Sequence, residues 1–161
     1  MLVQLVSGDG DVFTVDSKVL ALSKLLSNML KYVDEDSDLE PIVLNSISTR
    51  VLAKILDYCR YHEDKPAPPI PKPLKSSNLE DVVCSWDREF INVDTELLLE
   101  IMMAENFLDI KPLLELTCAK IASLVKGKTT DQIRDEFNII NDFTPEEEAL
   151  IKEENKWCDE L

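Results

Sequence analysis

Glycine is scarce: Gly8, Gly10 and Gly127 are the three in the chain. A glycine-rich turn that wraps a phosphate is therefore excluded. With His62 the single histidine, a nucleophile with an imidazole base has almost nothing to draw on. Cys84 is the one thiol that could pair with it, and the two flank a proline-rich stretch that is a poor platform for catalysis. Cys59, Cys84, Cys118 and Cys158 stand far apart with no Cys-x-x-Cys pair, so neither a zinc site nor a disulfide framework is expected. Burial on apolar helical faces is the expectation for Cys59 and Cys118. Basic residues are outnumbered, 17 against 32 acids, for a net charge of -15. That balance argues against nucleic acid and anionic membranes as partners. No apolar run approaches the roughly 18 residues that span a bilayer. The opening MLVQLVSGDG lacks the basic head and apolar body of a signal peptide, so a soluble intracellular protein is expected.

What is present reads as one domain with a small appendage, in 161 residues. Leu2 to Val6 and Val12 to Val15 are β-prone runs around Ser7-Gly8-Asp9-Gly10-Asp11, which predicts a hairpin. Two short helices follow, one after Asp16 or Ser17 and one through Leu25, Leu26, Met29 and Leu30. Asp34 to Asp38 reads as an acidic solvated loop without the glycine and terminal glutamate of a calcium-binding hand. Pro41 to Leu44 is a strand able to join the hairpin, and Ser48 is placed to cap a helix carrying Val51, Leu52, Ile55, Leu56 and Cys59. The order ββααβα implies an α/β (α+β) fold, a small N-terminal sheet flanked by helices.

Helix ends at His62. From Glu63 to Asn78 lie five of the eight prolines, which predicts an extended, mobile loop at about 63–80. Trp86 and Phe90 then stand four apart, and Asp94 caps an apolar helix running to Phe107. Asp109 and Pro112 mark the next start, of a helix apolar nearly all round. Such helices need cover on several sides, and Leu99 and Met102 are candidates for a flank left open to a partner. Gly127 breaks the run, dividing the chain into a domain over 1–125 and an extension over 126–161. Thr129 with Gln132 has capping-box spacing, and Thr144-Pro145-Glu146-Glu147 predicts a helix from about Pro145 to Cys158. That helix has apolar ends and a polar middle, too little to hold it down; Trp157 is expected to wait for a partner.

Several of these segments carry a family resemblance. Lys126-Gly127-Lys128-Thr129, Ile133-Arg134, Phe137-Asn138-Ile139, Asn141-Asp142-Phe143-Thr144 and Glu154-Asn155-Lys156-Trp157-Cys158 resemble the S-phase-kinase-associated adaptor family, the Skp subunit of SCF ubiquitin ligases. The likeness extends through Trp86-Asp87, Glu89-Phe90, Leu108-Asp109-Ile110-Lys111 and Thr117-Cys118 to the hairpin Ser7 to Val15. It implies a BTB/POZ-type domain completed by two C-terminal helices, acting as a non-catalytic adaptor between a cullin scaffold and F-box substrate receptors. The cullin would bring the RING subunit indirectly. Carried over by position, Leu99, Met102, Leu114, Cys118 and Ile121 would floor the F-box groove. Ile133, Phe137, Ile139, Asn141, Asp142 and Phe143 would form its wall and connector, and Trp157 and Cys158 its clamp. Asn106 and Phe107 would face the cullin; Phe107 keeps the ring of the family's tyrosine without its hydroxyl. The resemblance further implies cytoplasmic and nuclear residence, no cofactor, no metal, and a weak homodimer when no F-box protein is bound. A self-associating BTB or elongin-C-like module is the alternative.

Overall fold

A computed structural model describes residues 1–33 and 39–158. The acidic loop expected at Asp34 to Asp38 lies outside the described residues. The chain divides into two units, Met1–Lys126 and Gly127–Leu161.

The first unit is built on the predicted hairpin. β1 (Leu2–Ser7) pairs antiparallel with β2 (Val12–Asp16), and β3 (Ile42–Leu44) adds in parallel to the other edge of β1. Alternation puts Val3 and Leu5 on the inner face, fully buried, and leaves Leu2 and Gln4 outside. Gly8 sits against β3: a Cβ there would lie 2.5 Å from the backbone oxygen of Asn45. Its amide meanwhile donates to the carbonyl of Ile47 at 2.7 Å.

The two short helices predicted after the hairpin are a 3-10 turn at Val19–Leu22 and α1 (Lys24–Leu30). Ser23 lies between them, buried. Its hydroxyl accepts from the Leu26 amide at 3.2 Å and donates to the Leu108 carbonyl at 2.6 Å, fixing α1 to a helix far along the chain. α2 (Thr49–His62) turns Val51, Leu52, Ile55, Leu56 and Cys59 into the core. Its first turn corrects the sequence reading. Ser48 holds the N-cap position, but its side chain makes no cap bond. The Thr49 amide instead donates to Asp9 at 2.6 Å, and the Thr49 hydroxyl donates to Asp11 at 2.6 Å. The hairpin turn thus caps the helix from outside.

α3 (Ser85–Phe90), α4 (Thr95–Leu108) and α5 (Lys111–Val125) complete the unit. Asp94 caps α4 as expected, accepting from the Leu97 amide at 2.9 Å. Asp109, expected to open α5, instead closes α4 in the left-handed conformation, φ 51°. Its amide is drawn back to the last carbonyls of α4. Trp86, Phe90, Tyr58 and Tyr61 gather around His62, with the Tyr61 and Trp86 rings stacked at 3.8 Å. Among the described residues no helix is long and apolar enough to cross a membrane.

In the second unit α6 (Thr130–Phe137) and α7 (Pro145–Glu154) both begin with complete capping boxes, Thr129 with Gln132 and Thr144 with Glu147. α7 is shorter than its predicted span. Asn155 ends it, with its side-chain amide donating to the Ile151 carbonyl at 2.8 Å, and Lys156–Cys158 forms a separate 3-10 turn. No described residue from 127 to 158 is buried.

Candidate protein-interaction sites

α4 has two faces. Leu97, Leu98, Ile101, Ala104 and Leu108 recur at helical spacing and are buried. On the opposite side Leu99, Met103 and Phe107, each four apart, line a concavity of about 840 Å³ with the start of α2. Met103 is 69% and Phe107 52% exposed, a large apolar surface for one helix. Glu96 and Glu100 border it, and Arg50 reaches across to Glu100 at 3.1 Å. Asn106 shares the lining. The structure therefore joins the two residues assigned to the cullin, Asn106 and Phe107, with Leu99, which the resemblance assigns to the F-box groove. Met102 is half-buried and takes no part in this lining. Met103 is missing from the sequence-derived set, although its place midway between Leu99 and Phe107 at intervals of four was a readable signal.

α5 carries the next group. Leu114 and Ile121 are half-buried, and Ile121 packs against the core. Cys118 corrects an expectation, being exposed, whereas Cys59 is buried and its thiol is pushed up to about 12 by desolvation. Thr117, one position before Cys118, faces inward and contacts Glu105, a carboxyl with no exposed surface. Burial pushes Glu105 up to about 8, opposed by the Thr117 hydroxyl. The same hydroxyl lies 3.1 Å from the Leu114 carbonyl, and one hydrogen cannot serve two acceptors. A protonated Glu105 resolves this by donating to Thr117, which donates onward to Leu114. Glu105 Oε2 is left without a partner, tolerable for a neutral carboxyl and costly for a carboxylate.

His62 is equally committed. Its Nδ1 lies 2.6 Å from the Lys65 carbonyl and its Nε2 2.8 Å from Asp87, both groups buried. A backbone carbonyl and a buried carboxylate thus occupy the two ring nitrogens. Neither nitrogen is free to activate Cys84. That sulfur accepts from the Asp87 amide at 3.4 Å as the cap of α3.

In the second unit apolar side chains face outward. Ile140 is 86%, Trp157 62% and Leu150 60% exposed, with Ile139 and Phe143 also exposed. Ile133 and Phe137 are half-buried, while Asn141, Asp142 and Cys158 are exposed. Arg134 links the two helices, 2.9 Å from Asp131 and 3.6 Å from Glu148. The Asn141 side chain accepts from the Phe143 amide at 3.2 Å, so it shapes the connector. Ile140 and Leu150 are absent from the sequence-derived set.

The first unit is a small mixed sheet with helices and the second a pair of helices, and both display apolar surface, the architecture of a mixed α/β protein with a helical extension. Two family descriptions match the chain: "Skp1 family, tetramerisation domain" over residues 1–64 and "Skp1 family, dimerisation domain" over residues 111–158. The S-phase kinase-associated protein 1 homolog of Tetrahymena thermophila is 46% identical over 159 residues, 98% of this chain and 94% of that protein. The SCF ubiquitin ligase complex proteins SKP1a and SKP1b of Dictyostelium discoideum are each 42% identical over 159 residues, 99% of this chain and 96% of theirs. The chain belongs to the Skp1 family.

Proposed function

We propose that this chain is a non-catalytic adaptor of an SCF-type ubiquitin ligase, holding an F-box substrate receptor and a cullin scaffold at once. The observation that carries the reading is the paired display of apolar surface: Leu99, Met103 and Phe107 on α4, and Ile139, Phe143, Leu150 and Trp157 in the second unit. A monomer rarely leaves so much greasy surface open unless a partner covers it. The α4 concavity is assigned to the cullin, with Leu99 moved into that set beside Asn106 and Phe107. Cys118 and its neighbours on α5, together with the second-unit residues, are assigned to the F-box. Each contact is of standard size, roughly 1,200–2,000 Å² in total. Trp157 is the expected hot spot. Cytoplasmic and nuclear residence belongs to the same reading.

Co-purification tests it. Deleting Asp142 to Leu161 abolishes F-box binding with cullin binding retained, whereas Asn106→Lys with Phe107→Lys does the reverse. Survival of receptor affinity after the deletion removes the assignment. Self-association through the same apolar surfaces is the second reading; light scattering with and without an F-box domain separates them, since the receptor should dissolve any homodimer.

A further inference from the structure

The proline-rich segment expected to be loose is tied down at three places. Lys65 presents its carbonyl to His62 Nδ1 at 2.6 Å. Lys72 pairs with Glu115 of α5 at 2.6 Å. At the far end Lys126 Nζ donates to the carbonyls of Leu74 and Lys75, at 2.9 and 3.1 Å. Between these ties Ile70 and Leu74 are half-buried against the core. Pro68, Pro69, Pro71 and Pro73 have no amide hydrogen, so this strap can border apolar surface without stranding donors. Proline also fixes much of the backbone in advance, so a wall made from it loses little entropy when a ligand arrives.

Strap and helix enclose a slot of about 190 Å³. Its floor is made of small α5 side chains, Cys118, Ala119 and Ala122, which leave depth; Ile70 and Leu74 stand above them as one side. The carbonyls at its end are already bonded by Lys126. An apolar occupant of one aliphatic or aromatic side chain suits this lining, and Cys118 is common to the slot and to the receptor-facing residues proposed above.

We infer that the slot between the proline strap and α5 receives an apolar side chain of the F-box receptor, making Ile70 and Leu74 part of the receptor-binding surface. This rests on the adaptor reading. The strap therefore contributes affinity directly, in addition to linking two helices.

The test is titration of purified F-box domains into the full chain. Wild type, Trp157→Ala, the double variant Ile70→Ser with Leu74→Ser, and Ala122→Leu are compared by biolayer interferometry. Ala122→Leu fills the slot from its exposed floor and leaves the strap's packing intact. Each slot variant is expected to weaken binding at least tenfold, mainly through faster dissociation, with cullin affinity within twofold of wild type. If an F-box domain binds wild type, is weakened by Trp157→Ala, and binds Ala122→Leu as well as or better than wild type, the slot inference is overturned while the adaptor reading stands. If no F-box domain binds wild type, the adaptor reading falls and this inference falls with it.

Discussion

Replacing Glu105 with glutamine should uncouple the stability of the first unit from pH. The carboxyl is fully buried between α4 and α5, and its pKa rises from 4.5 to about 8 through desolvation. Between those values the folded chain holds a proton that the unfolded chain releases, so stability falls as pH rises through the window. Below 4.5 both states are protonated and above 8 both are ionised, so the dependence flattens at each end. At about 1.36 kcal/mol per pH unit, the loss between pH 5 and pH 8 is about 3 kcal/mol. Glutamine cannot ionise and can still donate to Thr117, so Glu105→Gln lacks this slope. The assay is urea unfolding at pH 5, 6.5 and 8, in a Trp157→Phe background so that Trp86 fluorescence reports the first unit alone. Glu105→Gln should gain about 3 kcal/mol relative to wild type on going from pH 5 to pH 8, or roughly 6–12 °C in melting temperature. Equal pH slopes in the two proteins would refute the protonated assignment. The expected slope difference does not require glutamine to match the parent at low pH, where its second amide hydrogen lacks a partner.

Asp87→Ala leaves a buried ring nitrogen of His62 without its partner and should cost about 1–3 kcal/mol in chemical denaturation; no measurable change contradicts a structural role for the pair. Gly8→Ala drives a methyl toward the Asn45 carbonyl and should cost about 1–3 kcal/mol, checked by the same unfolding curve. Thr144→Ala removes the α7 cap and should cost about 1 kcal/mol locally, read as faster amide exchange in α7 with exchange in α4 unaltered.

The Thr129 capping box, the hairpin and the existence of a third strand were legible because each depends on residues close in sequence, whereas the edge of the hairpin that the third strand joins was not. Where reading failed, a distant group intervened. Ser48 has the right side chain at the right position, yet the hairpin brings Asp9 to the Thr49 amide first. Glu105 was not singled out in the sequence; its buried partner, Thr117, lies twelve residues away on the next helix. Asp109 resembled a helix start because aspartate suits both a cap and a left-handed turn, and spacing does not distinguish them. The open α4 stripe was half legible: Leu99 and Phe107 were singled out, and the four-residue interval pointed to Met103. The contacts of the proline strap were illegible for the same reason. Composition forbids helix there, but the contacts to it come from His62 at the end of α2 and from Glu115 and the C-cap residue Lys126 of α5.

The second unit has well-capped helices and, among its described residues, none that is buried. Its stability then scales with the free concentration of whatever binds it, as RT ln(1 + [L]/Kd).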